Sequence, residues 1–357
     1  MQRRVFIRLP AGAAVSSATP EQRPSDRINR RTLLALGTGA AAVPLLRLRA
    51  ARAQQGALPV VGYIGSSSAE VNVKRVAAFR KGLAATGFVE GRNVAIEYRW
   101  AGGRDDRQPE LVADLIRRGV AVIAAPANTA GALAAKAATS TIPVVFSAGA
   151  DPVQIGLVSN FSRPAGNLTG ITLWAAELDA KRIDLLREML PNARTVALLM
   201  NPTNPGAVRE LQGAQEVAAK LSLTIDIQNA SSSSEIERAF QAWPPGKADA
   251  LAVIADAFLI NQRRRIMALV GNRRLPAIYP SREFTDDGGL VSYGARWSDM
   301  YRIVGSYAGR LLKGAKPADL PVQRPTTYEL VINLRTARSL GLTMPPILLA
   351  RADEVIE

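Results

Sequence analysis

The run TVALLMNP, residues 195–202, is a short unbroken apolar stretch that ends in a polar turn, and it restarts a pattern first set up by PVVGYIG, residues 59–65. Both read as strands buried on two faces of a parallel sheet. After the earlier run, an amphipathic helix is expected over residues 73–85. Its apolar face carries Val73, Val76, Phe79 and Leu83, with Arg75, Arg80 and Lys81 outside and Gly87 ending it. The strand VAIEYRW, the helix PELVADLIRR, the strand VAVIAAPAN, an Ala-rich helix near 130–139 and the strand IPVVFS continue the alternation.

From TVALLMNP the grammar repeats. A helix over 207–221, the strand LTIDIQ, a helix over 234–242 and the runs ALAVIAD and LPAIYPS follow. Ser232 with Glu235 fits a capping box, which accounts for the serine run 231–234 without chemistry. Strands near 60, 120 and 143 correspond to strands near 195, 250 and 276, an offset of roughly 130 to 135 residues. The expected fold class is α/β, with two Rossmann-like lobes, each a parallel sheet flanked by helices.

In open α/β sheets, ligands bind beyond the carboxyl ends of the strands, where loop amides and helix N-termini converge. Two such lobes facing each other make a cleft. Its expected lining is the loops 66–68, 126–129 and 147–151 of the first lobe and 201–204, 256–258 and 279–283 of the second. For any single residue among them, a polar turn after a buried strand is an equal account.

Composition narrows the function. The 357 residues include no Cys and no His, which removes disulfides, thiolate nucleophiles, a lipid on an N-terminal Cys, His-ligated metals and the commonest general base. No catalytic residue, metal or cofactor is expected. The net charge is +15, but ten Arg against Glu21 and Asp26 put +8 of it in the first 53 residues, leaving +7 for the rest. With no basic block interleaved with aromatics, nucleic acid is not an expected partner.

Residues 1–53 read as an export leader. Arg30 and Arg31 precede an uncharged Ala- and Leu-rich run, and ARA at 51–53 suits cleavage before Gln54. RRVFIR, residues 3–8, is similar to a twin-arginine motif, so both the twin-arginine and the general secretory routes stay open. GTGAAA at 37–42 mimics a dinucleotide fingerprint but follows no strand.

PVVGYIGSSS, the segment ADPVQIGLVSNFSRPAGNLTGIT, the segment LVSYGARWSDMYRIVGSYAGRLLKGAKPADLPVQRPT and the tail YELVINLRTARSLGLTMPPILLARADEVI closely resemble the ABC transporter substrate-binding protein family, of the periplasmic binding protein type I fold. The resemblance covers residues 58–357. It implies a monomeric, non-catalytic periplasmic receptor that captures a small solute, an amino acid or related compound, and delivers it to a membrane permease and its ATPase.

The resemblance also implies three crossings between lobes, near 167–172, 288–294 and 320–327, with Asn167, Thr169, Gly170 and Gly294 as hinge residues. Lobe 1 is then 58–168 plus about 295–319, and lobe 2 is 172–290 plus about 325–357. Within the cleft, Ser66, Ser67, Asn128 and Thr129 are candidates to hold an anionic group, since loops entering helices present unpaired amides. Asp256, Glu283 and Asp151 are candidates to pair an ammonium, and Phe258, Tyr279 and Tyr293 to enclose an apolar part. Ala148 and Asn201 belong to the same strand-end loops. The rival readings are a ligand-sensing ectodomain or regulator with this core, and a carboxylate-based α/β enzyme.

Overall fold

Unbroken apolar runs become central strands. In the computed structural model, which describes residues 57–173 and 175–357, the first half forms β1 (Val60–Gly65), α1 (Val73–Ala84), β2 (Ala95–Trp100), α2 (Gln108–Arg117), β3 (Val122–Ala125), α3 (Thr129–Ala138), β4 (Val144–Ala148) and β5 (Leu168–Thr172). The strands lie in the order β2-β1-β3-β4-β5, each pair parallel. Helices cover both faces, so β3, β4 and β5 are buried throughout while β2 at the edge is only half-buried.

The second half runs α4 (Ala175–Met189), β6 (Thr195–Met200), α5 (Ala207–Lys220), β7 (Thr224–Asn229), α6 (Ser233–Ala242), β8 (Ala250–Val253), α7 (Ala257–Asn261), α8 (Arg263–Asn272), β9 (Ala277–Tyr279), α9 (Arg282–Asp286) and β10 (Val291–Ala295). After α10 (Trp297–Leu312), the chain adds β11 (Tyr328–Asn333), α11 (Leu334–Leu340), α12 (Pro346–Arg351) and β12 (Glu354–Ile356). The second sheet is ordered β12-β11-β10-β9-β8-β6-β7, with β10 and β11 its antiparallel pair. Its segment β7-β6-β8-β9-β10 repeats the order β2-β1-β3-β4-β5 of the first. The strand order reverses between β1 and β3 and between β6 and β8. Those are the switch points outside which a doubly wound sheet binds its ligands.

The serine run behaves as a helix start: Ser232 Oγ accepts from the Glu235 amide at 3.3 Å, and the Glu235 carboxylate accepts from the Ser231 amide and hydroxyl. The first helix differs from its expected face. Val73 is 66% exposed and Arg75 is 7% exposed, because α1 is covered from a side that its own periodicity does not register. The cover is α10, which leaves the second sheet after β10 and packs Met300, Tyr301, Val304, Tyr307 and Leu311 into the core of the first. The two helices meet through glycines, and a Cβ on Gly82 would overlap the Arg302 carbonyl oxygen, as one on Gly305 would overlap that of Phe79.

The expected hinge residues are strand residues or strand anchors in this structure. Gly170 and Thr169 lie in β5, where a Cβ on Gly170 would overlap the Phe146 carbonyl of β4 and Thr169 Oγ1 donates to the Leu320 carbonyl at 2.6 Å. Asn167 anchors the start of β5 by donating to the Thr139 and Ile142 carbonyls. Gly294 lies in β10 against the Pro280 carbonyl. These glycines permit close backbone approach, not bending. The chain leaves the first sheet after Thr172, leaves the second after Ala295, and returns to it at Tyr328 after residues 320–323 have run along β5. The expected leader lies outside the described residues. Among the described residues, no helix is long and apolar enough to cross a membrane.

Candidate functional site

The loops at the two switch points face each other. Ser66 after β1, and Ala127, Asn128, Thr129 and Ala130 at the start of α3, form one wall; Asn204, Pro205, Ala255, Asp256, Ala257 and Ile260 form the other. Asp105, Gly149, Leu173 and Trp297 complete a cavity of about 60 Å³. That admits a few waters, whereas pockets that bury a metabolite are several times larger.

Each wall is held by side chains the sequence places there. Asn128 caps α3 by accepting from the Gly131 amide at 2.8 Å, while its Nδ2 donates to the Ile64 carbonyl and Gln108 Oε1. Its polar atoms are committed to the loop, and what the cavity receives from this wall is the first turn of α3, whose leading amides precede any intrahelical bond. Ala127 adopts a left-handed φ of 50° and donates its amide to Ser147 Oγ at 2.6 Å. Strain of this kind at a strand end persists where surrounding contacts fix it, and such positions cluster at ligand sites.

On the opposite wall Asp256 caps α7, accepting from the Leu259 amide at 2.9 Å, while Asn201 and Asn204 donate to its other oxygen at 3.4 and 3.2 Å. Burial pushes its carboxyl up to about 6, opposed by the Leu259 amide and Asn201 and reinforced by the charge of Asp105. Asp105, from the first lobe, is itself raised by burial, with Gln108 opposing and Asp106 adding to it. Two carboxylates thus face one cavity from opposite lobes.

A folded-state pKa above the unfolded one means that the native state binds the proton more tightly. Asp256 therefore stabilises most below about pH 4, and that contribution is lost as pH rises through about 6. The thermal midpoint of the empty protein is expected to fall between pH 5 and 7.5, and Asp256→Asn to flatten that fall. A calorimetric pH series checks it, and identical slopes would contradict the assignment.

The remaining expected residues divide clearly. Glu283 does not line the inner cavity; it accepts two hydrogen bonds from Arg75 of the first lobe, Nε at 3.0 Å and Nη2 at 2.6 Å. The Arg75 guanidinium also lies 4.8 Å from the ring centroid of Trp297. Ser67 is buried, with its hydroxyl accepting from Asn72, and Ala148 is buried at the end of β4. Asp151 caps its own turn through the Val153 amide. Tyr279 stacks on Phe284 inside the second lobe, Phe258 packs on the same core, and Tyr293 stacks on Tyr328. Among the described residues, no cluster of acidic side chains is arranged to hold a metal.

Arg75, Asp105 and Trp297 escaped the sequence reading of the site. Asp105 follows an edge strand whose loop was not counted with the others, and Trp297 stands just ahead of the helical period that marks α10.

Residues 67–356 match the family model described as ABC transporter substrate binding protein. A curated relative, the tyrosine-binding protein of Clostridioides difficile, is 25% identical over 264 residues, covering 74% of this chain and 75% of its own length. A conserved domain protein from Vibrio cholerae superposes with a TM-score of 0.78 at 25% identity, covering 84% of this chain and 100% of its own. An ABC domain from Streptococcus pneumonia, solved in complex with L-Trp, shares the fold with a TM-score of 0.77 at 24% identity over the same shares.

Proposed function

The chain belongs to the ABC transporter substrate-binding protein family, and from that premise we propose that it is an extracytoplasmic receptor that captures an amino acid or a close relative of one between its lobes and passes it to a permease and its ATPase. The observation that carries this reading is the pairing of opposite polarity across one cavity. The N-terminus of α3 faces it from the first lobe, and the carboxylate of Asp256 faces it from the second. A zwitterion satisfies both, with its carboxylate on the amides and its ammonium toward the acid. Trp297 offers an aromatic surface for the side chain, and relatives that bind tyrosine or tryptophan support the same class.

Capture works by closure. A ligand that bridges both walls favours the closed state by its differential affinity for it, and no bond is made or broken. The absence of His and Cys from the chain supports a receptor over an enzyme. The export leader fits an extracytoplasmic site of action, and the receptor acts as a monomer.

A thermal-shift screen of the chain against amino acids, organic acids, amides and sugars tests the class. Ligand at about 100 times its dissociation constant adds about 2.7 kcal/mol and moves the midpoint by several degrees. Hits confined to sugars would overturn the amino-acid reading. For an amino-acid hit, Asp256→Ala is expected to weaken calorimetric affinity roughly tenfold or more by removing a charge-assisted contact. Unchanged affinity would assign the ammonium elsewhere.

A further inference from the structure

Glu210, in the first turn of α5, is 2% exposed, and neither of its carboxylate oxygens has a hydrogen-bond partner among the described residues. Buried carboxylates are ordinarily paired or well supplied with donors, because desolvating an unpaired charge costs several kcal/mol. Arg182, whose charge acts on Glu210, is already engaged, donating to Asp179 and to the Tyr293 carbonyl. Burial, followed by the charges of Asp179 and Asp256, pushes the Glu210 carboxyl well above the usual range, with only Arg182 opposing.

Glu210 lines a second, smaller cavity of about 40 Å³, bordered by Gly149, Ala150 and Asp151 of the first lobe and by Pro205, Gly206 and the exposed Arg209 of the second. Gly149 and Pro205 also border the main cleft, so the two spaces are neighbours. Gly206 packs directly on this carboxylate, since a Cβ there would sit 2.6 Å from Glu210 Oε1. Asp256, by contrast, already accepts from one amide and two asparagine side chains. The unspent acceptor capacity behind the cleft lies at Glu210.

We infer that Glu210 is a second acidic group for the primary ammonium of the captured solute, acting beside Asp256 through the small cavity that Gly149 and Pro205 share with the cleft. A primary ammonium brings the N–H donors that the Glu210 oxygens lack, and a quaternary one brings none. The inference rests on the solute-binding reading and sharpens it: the solute must carry a primary amine, and Glu210 sets that requirement.

The test uses the full chain and the isosteric Glu210→Gln variant, which loses no native hydrogen bond and is expected to fold with a thermal midpoint at or above wild type. In one arm, methylammonium chloride and tetramethylammonium chloride are compared at equal ionic strength. Methylammonium is expected to raise the wild-type midpoint by a few degrees over tetramethylammonium, and to leave Glu210→Gln unmoved. In the other, each amino acid that binds is titrated beside its desamino analogue. Glu210→Gln is expected to lose tenfold or more for the amino acid and to be unchanged for the analogue. Equal responses of the two proteins in either arm overturn the subsite while leaving the receptor reading intact. If no solute binds, the receptor reading fails and the methylammonium arm alone decides the subsite.

Discussion

Arg75→Ala is expected to weaken solute binding by roughly 30-fold and to expand the empty protein in small-angle scattering. Arg75 belongs to α1 of the first lobe and Glu283 to α9 of the second, and their two hydrogen bonds, at 3.0 and 2.6 Å, join the lobes directly. A charge-assisted bidentate pair of this kind contributes about 1.5–3 kcal/mol, and its loss leaves a carboxylate with no partner in the closed state. The side chain of Glu283 is 26% exposed, so water recovers part of the loss. A net cost of about 2 kcal/mol in the closed state lowers its population and scales the apparent dissociation constant by the same factor. Arg75 also covers Trp297, so its removal bares an aromatic ring at the cleft. Arg75→Ala combined with Glu283→Ala is expected to recover part of the affinity, because no charge is then stranded. Wild-type affinity and an unchanged radius of gyration in Arg75→Ala would show that the pair does not govern closure.

Gly82→Val is expected to cost about 3 kcal/mol and to lower the thermal midpoint by roughly 6–10 °C. The crossing of α1 and α10 depends on glycine at 82 and 305, where any side chain meets backbone of the facing helix, which no rotamer change relieves. Forcing the helices apart also moves Tyr63, Phe79 and Tyr301 out of a shared core. Scanning calorimetry measures the shift. A midpoint within 1 or 2 °C of wild type would mean that α10 packs on the first lobe more loosely than its contacts indicate.

The layers of this fold were legible in sequence for a physical reason. A strand buried on both faces must be apolar without interruption, so PVVGYIG and TVALLMNP announce β1 and β6, and their repetition announces two sheets of like order. The loops after those strands were legible too, because strand order alone places them at switch points. Ser66, Asn128, Thr129 and Asp256 accordingly come together around one cavity.

Pairings set by tertiary contact were not legible. Arg75 sits on a helix where polar side chains ordinarily face water, and its partner is 208 residues away in the chain. Tyr279 at a strand end reads the same whether it faces the cleft or stacks on Phe284 inside. Gly170 illustrates the ambiguity most sharply, since glycine permits a hinge and also permits two strands to approach closely. Only the position of the Phe146 carbonyl distinguishes the two. Glu210 gave no signal at all, because a lone acid in the first turn of a helix is the ordinary complement to the helix dipole.

Isothermal titration of the chain with each of the twenty amino acids tests the central claim most directly. At least one is expected to bind at a single site with a dissociation constant near about 1 µM, equivalent to about −8 kcal/mol, and to lose that affinity in Asp256→Ala. The absence of saturable heat from all twenty at millimolar concentration would contradict it.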